Sequence, residues 1–134
     1  MRLSTKKSFS MMLLVFMIAF AFAVPAFAAS SSYEFYYDNN PSSPFNSHLN
    51  GFIAGPADVT GTTVTITLAG EYYDYLQADN GSGTFVTYYP TVNANGDSVF
   101  TFTNSNPTSD INTYLYVSVP GQHAALYPLT IHWN

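Results

Sequence analysis

Thr63-Val64-Thr65-Ile66-Thr67-Leu68 alternates a hydroxylated residue with an apolar one without a break. Successive side chains of a strand point to opposite faces, so this segment reads as a strand that buries Val64, Ile66 and Leu68 and leaves three threonines facing outward. Working outward from it, further short runs of β-branched and aromatic residues cover 33–37, 57–59, 62–69, 72–78, 84–89, 98–103, 112–119 and 127–133. Turn residues punctuate them at Gly70-Glu71, Asn80-Gly81-Ser82-Gly83, Asn95-Gly96-Asp97 and Pro120-Gly121. About eight short strands in roughly 100 residues, with no helix-period stretch among them, predict an all-β, immunoglobulin-like two-sheet sandwich. One segment does not fit a strand. Residues 39–52 are rich in Asn, Ser and Pro and predict a long loop, with one helical turn at 47–51 that Ser47 would cap. A loop this long inside a small domain is more often functional than idle.

The chain has 134 residues with 3 Lys+Arg, 8 Asp+Glu and no Cys, which fits one domain. All three basic residues, Arg2, Lys6 and Lys7, precede the apolar run 11–24, and Ala26-Phe27-Ala28 follows it. A basic start, an apolar stretch and an A-x-A site describe a signal peptide at 1–28 that is cleaved to leave one domain at 29–134. The expected location is therefore extracellular, with no membrane span in the mature chain. Nothing resembling a wall-sorting motif precedes Trp133-Asn134, so release or non-covalent surface association is expected.

Several function classes drop out on composition. Without cysteine there is no disulfide framework, thiol nucleophile, Cys-ligated zinc or iron–sulfur cluster, and no covalent C-x-x-C-H haem attachment. Nucleic acid is bound chiefly by Lys and Arg that displace counterions, and residues 8–134 contain neither, so nucleic acid is excluded as a partner. The acids are scattered singly and no nucleophile motif accompanies them, so an enzyme is not expected.

With strands and loop in place, the chain resembles a NEAT domain, the haem-binding sandwich of Gram-positive surface and secreted haem-uptake proteins. The resemblance rests on the first strand Tyr33-Glu34-Phe35-Tyr36-Tyr37, a lip segment Ser47-His48-Leu49-Asn50-Gly51-Phe52 leading into Gly55-Pro56-Ala57-Asp58-Val59, the central strand Val64-Thr65-Ile66-Thr67-Leu68, and a closing hairpin. That hairpin runs Leu115-Tyr116-Val117-Ser118-Val119-Pro120, His123-Ala124-Ala125-Leu126-Tyr127 and Leu129-Thr130-Ile131-His132-Trp133, and resembles the family's unit with its Tyr-x-x-x-Tyr haem motif. The family usually ligates iron with the first Tyr, which the second hydrogen-bonds. Here Tyr127 keeps the second position and His123 occupies the first.

The resemblance implies non-covalent haem (iron protoporphyrin IX) held between the lip segment 44–52 and the closing hairpin, in a haemophore-like capture and transfer role. It implies His123 as axial ligand and His48, in the lip, as a second one from the opposite side. Leu49 and Phe52 from the lip and Leu115, Val117 and Val119 from the hairpin would supply apolar walls, and Ser47 a propionate contact. Haem-uptake proteins or a haemoprotein donor would be partners. Fully extended, residues 123 and 127 stand roughly 13 Å apart, so a local bend at Ala124-Ala125 is expected if both reach one iron. His132 reads as a surface residue, and Glu71 and Asp74 as solvated carboxylates. Two other readings stand beside haem capture. One is a self-assembling structural subunit of a surface layer or filament, and the other a carbohydrate-binding module using Tyr72, Tyr73, Tyr75, Tyr88 and Tyr89. Alternation alone divides those tyrosines between faces, pairing Tyr73 with Tyr75.

Overall fold

A computed structural model of the protein describes residues 29–134; the signal-peptide reading of 1–28 lies outside them. Ten strands and one short helix follow in the order β1 (Ala29–Ser31), β2 (Tyr33–Tyr37), α1 (Asn46–Asn50), β3 (Ala57–Thr60), β4 (Thr63–Leu68), β5 (Tyr73–Asp79), β6 (Phe85–Tyr88), β7 (Thr91–Val92), β8 (Ser98–Thr103), β9 (Ile111–Val119) and β10 (His123–Trp133). They form two five-stranded antiparallel sheets, β1-β3-β4-β8-β7 and β2-β10-β9-β5-β6. The expected sandwich is present with two strands more than the periodicity announced. Both extra strands, β1 and β7, are edge strands of two or three residues, too short for alternation to register.

The core lies where the inner faces meet. Val64, Ile66 and Leu68 of β4 are fully buried, as the opening stretch requires, and face Phe100 and Phe102 of β8 across the ladder Val64↔Phe102 and Ile66↔Phe100. Phe35, Leu76, Leu115, Leu129 and Ile131 close the layer from the other sheet. Truncating a ring such as Phe100 leaves a cavity in close-packed surroundings and costs about 3–5 kcal/mol.

In β5 the strict alternation fails. The register shifts between Tyr73↔Val117 and Tyr75↔Tyr116, a bulge at which Asp74 and Tyr75 both turn away from the core. Tyr73 is buried while Tyr75 lies on the outer face, stacked on Tyr116 with centroids 5.3 Å apart. The five tyrosines considered as a carbohydrate platform therefore do not share a surface: Tyr73 is in the core, and Tyr88 reaches Thr103 of the opposite sheet. His132 is on the surface as expected, paired with Asp110 at 3.0 Å and stacked on Tyr36.

Candidate functional site

Two elements build one cleft at an end of the sandwich. The first is the β9–β10 hairpin, whose ladder runs unbroken from His123↔Val119 to Ile131↔Ile111. Its turn is set by Pro120, whose ring fixes the first corner, and by Gly121 at φ 74°, a conformation costly for any residue with a Cβ. Gln122 N–H closes the turn on Val119 O at 3.0 Å. β2 pairs with β10 only from Leu129 to Trp133, so the stretch before Leu129 overhangs the end of its neighbour.

The second element is α1. It covers Asn46–Asn50 rather than 47–51, Phe45 holds the N-cap position with no side-chain cap bond, and Ser47 falls inside the helix. The expected Ser47 cap is thus absent, because the helix is fixed by other side chains. Asn46 Oδ1 accepts the N–H of Tyr37 at 2.8 Å and Asn50 Oδ1 that of Phe35 at 2.7 Å. Residues four apart on a helix lie about 6 Å apart on one face, and alternate N–H groups along a strand edge have nearly the same spacing. Asn46 Nδ2 also donates to Asn40 O at 2.9 Å, and Leu49 is buried beneath the turn. The lip is therefore a helix pinned along the free edge of β2.

Between overhang and helix lies a cleft of about 340 Å³ lined by Tyr37, Phe45, His48, Leu49 and Tyr127. His48 is exposed at its rim and packs edge-on against Phe52, with centroids 5.7 Å apart; Phe52 packs likewise on Tyr73. Tyr73 donates to Ala69 O at 2.9 Å, and burial, reinforced by nearby Tyr72 and Asp97, pushes its phenol up to about 12. On the hairpin, His123 Nε2 and Tyr127 Oη are 3.0 Å apart, with the rings nearly perpendicular. No break at Ala124-Ala125 brings them together, contrary to the expectation of a local bend. The ladder is regular there, and two long side chains leaning towards each other span the gap that their Cα atoms leave.

Of the residues singled out in the sequence, His48, Leu49 and Tyr127 line the cleft, and His123 joins it through Tyr127. Val119, half-buried, is His123's cross-strand partner, and Ser47 is exposed on α1. Leu115 and Val117 share the cleft-facing side of β9 but are buried in the core, 0% and 3% exposed, and Phe52 lies beneath His48. Tyr37 and Phe45, which line the cleft, and Asn46 and Asn50, which hold its helix, were missed. The only sequence signal for the asparagines was their i, i+4 spacing inside a loop.

No group of three or more His, Asp or Glu that could cradle a bare metal ion is found among the described residues. What the cleft offers is one imidazole, His48, and the phenols of Tyr37 and Tyr127 around an apolar slot, with the exposed His123 at hydrogen-bond distance behind Tyr127.

No family model and no curated protein matches the chain. Solved structures do. The chain is similar to the NEAT5 domain of IsdX2, a B. anthracis hemophore in complex with heme, at 17% identity, covering 80% of this chain and 94% of that one with a TM-score of 0.64. The heme complex of a mutant of the same domain aligns at 16% identity with the same TM-score, covering 80% and 93%. The fold is that of a NEAT domain, and nearly the whole of the neighbour is matched.

Proposed function

We propose that the protein is a secreted haem-binding domain that captures and passes on haem, with the cleft between α1 and the β9–β10 hairpin as its site. The observation that carries this reading is that Tyr127 lines an apolar slot together with His48 and is itself 3.0 Å from His123, in a fold whose neighbours hold heme. The residues fit the group. The cleft lies within the roughly 300–1,000 Å³ of small-molecule sites, and a macrocycle that supplies four nitrogen ligands asks the protein for only one or two more.

In this reading His123 and, from the lip, His48 would hold the iron. A neutral imidazole has one donor and one acceptor nitrogen. With Nε2–H donating to Tyr127, the lone pair left on the ring is at Nδ1. With Tyr127 donating to Nε2, the ring has no free lone pair until that bond is given up. In either direction the bond to Tyr127 orients the ring, as outer hydrogen bonds do for metal-bound histidines generally. When bound, the group supplies an iron centre with two oxidation states, and imidazole in place of a phenolate shifts the balance towards the ferrous form. Tyr37, Phe45 and Leu49 would exclude water from the macrocycle. No Lys or Arg occurs among the described residues, so propionates would rest on hydroxyls such as Ser47, on amides and on water.

Titration of the protein with haem, followed by Soret absorbance, tests the assignment. One equivalent is expected to bind, His123→Ala to lose most of the affinity, and Tyr127→Phe to weaken binding by about tenfold, the worth of one hydrogen bond to the ligand. Undiminished affinity in His123→Ala would remove His123 as ligand.

A further inference from the structure

We propose a second binding site on the outer face of the β2-β10-β9-β5-β6 sheet, away from the α1 cleft, which takes a neutral polysaccharide. Cross-strand register gathers aromatic rings on this face: Tyr75 opposite Tyr116, and Tyr114 two pairs further along. Tyr75 and Tyr116 stack at 5.3 Å and 19°, and Phe85 of β6 lies 5.2 Å from Tyr114. Phe85, Tyr114 and Leu126, the last opposite Tyr116, are all exposed, at 40%, 37% and 44%. The bulge in β5 is what turns Tyr75 outward to complete the set.

Hydrogen-bonding groups stand beside Tyr114. Gln77 stands between Tyr114 and Thr87 across three strands, with its Nε2 donating to Thr87 Oγ1 at 3.3 Å. Asn112 accepts from Thr130 Oγ1 at 3.0 Å, which leaves its amide N–H₂ as a donor. Beside Tyr114 a cleft of about 310 Å³ is walled by Asp38, Asn39, Phe85, Asn112, Tyr114 and Pro128. Asp38 and Asn39 take positive φ, 52° and 58°, in a turn that Asp38 N–H ties to Pro128 O at 2.8 Å.

This mixture selects the ligand class. A sugar ring presents an apolar C–H face that packs on an aromatic ring and a rim of hydroxyls that need amides, hydroxyls and carboxylates beside it. A protein partner is favoured by a dry continuous apolar centre, which Gln77, Thr87 and Asn112 interrupt. Charge narrows the class further. The described residues hold eight acids and no Lys or Arg, so uronic, sulfated or phosphorylated glycans are repelled and a neutral polymer is accepted. Such a site would tether a secreted domain to a polysaccharide matrix while the α1 cleft stays open.

Native gel electrophoresis through hydroxyethyl-cellulose, soluble starch or glycol chitin, with polygalacturonate as the anionic control, tests the site. At least one neutral polymer is expected to retard the protein and polygalacturonate is not. Tyr114→Ala and Tyr116→Ala are each expected to weaken retardation by about tenfold, Tyr116→Phe to retain it, and all to titrate with haem as the unmodified protein does. Phe85→Ser, at the exposed start of β6, gives the same reading should a β9 variant fold poorly. Retardation by none of the three polymers, or retardation unchanged in the alanine variants, overturns the proposal. So does concentration-dependent dimerisation that Tyr116→Ala abolishes in a protein no polymer retards, which would assign the face to a second copy of the chain.

Discussion

His123 and Tyr127 are four residues apart on a regular strand, and their side chains meet only because both are long. A shorter residue at either position leaves the other unpartnered in the overhang. At the rim of the cleft, His48 is exposed and packs edge-on against Phe52. In the bis-imidazole reading, His48→Ala opens the sixth position of the bound iron. Visible spectra are expected to move from low-spin to high-spin, and carbon monoxide or azide to bind, with haem still attached through His123. A protein already high-spin, and unchanged by the substitution, would hold haem from one side only. Tyr33 makes a different point at the same scale. It is 5% exposed, and its hydroxyl has no hydrogen-bond partner among the described residues. Burial, and secondarily Tyr73, holds its phenol far above the ordinary value of 10.0. The unfolded chain ionises first, so the stability linked to Tyr33 and Tyr73 is full below pH 10 and is lost progressively above it, for Tyr73 as pH rises through about 12. Tyr33→Phe is expected to be neutral or stabilising by up to about 1 kcal/mol at pH 7, since it removes an unsatisfied buried hydroxyl. It should also flatten the alkaline fall in denaturation midpoint, measured by urea unfolding at successive pH values.

At the scale of elements, α1 is a five-residue helix that has neither a side-chain N-cap nor the length to stand alone. Its position follows from two asparagines that satisfy the free N–H groups of Phe35 and Tyr37 on an edge strand, which also protects that edge from pairing with another chain. Asn46→Ala and Asn50→Ala each leave a half-buried N–H unpaired and are expected to cost about 1–3 kcal/mol. Both should speed haem release without altering the spectrum, because they loosen the lip and leave the ligands intact; stopped-flow transfer to an apo-acceptor measures this. The helix was legible in the loop's composition to within one residue, but its anchoring was not. Composition marks 39–52 as irregular without saying which backbone groups elsewhere in the chain lack partners. In β10 the missed extent has a similar cause. His123-Ala124-Ala125 carries no β-strand signature of its own, and it is strand because β9 lies alongside.

For the whole molecule the decisive quantity is charge. After residue 7 there is no Lys or Arg, and the single contact between a basic side chain and a carboxylate among the described residues is His132–Asp110 on the surface. Cohesion rests on the apolar layer between the sheets and on ladder hydrogen bonds. Trypsin is expected to leave the polypeptide 29–134 intact even in denaturant, as mass spectrometry after digestion will show. Acid should also be tolerated between about pH 7 and 4, since protonating carboxylates breaks almost no ion pairs and lowers the net negative charge. A thermal midpoint that falls steeply over that interval would mean that carboxylates hold the fold in some other way.

The chain by itself determined the sandwich, its central strand and the order of its turns, because strand alternation and turn chemistry are local and repeat every few residues: Val64, Ile66 and Leu68 are buried wherever a partner sheet exists to cover them. It also fixed the absence of Lys and Arg after residue 7, because counting residues requires no coordinates. Tertiary structure alone decided the shape of the site. Which residues of α1 face β2, how far β10 overhangs it, that Leu115 and Val117 are core while Tyr37 and Phe45 line the cleft, and that a bulge turns Tyr75 outward onto Tyr116 all depend on contacts between segments far apart in sequence. Such contacts satisfy backbone groups and fill volumes that no local pattern describes, so they become visible only when both sheets are in place.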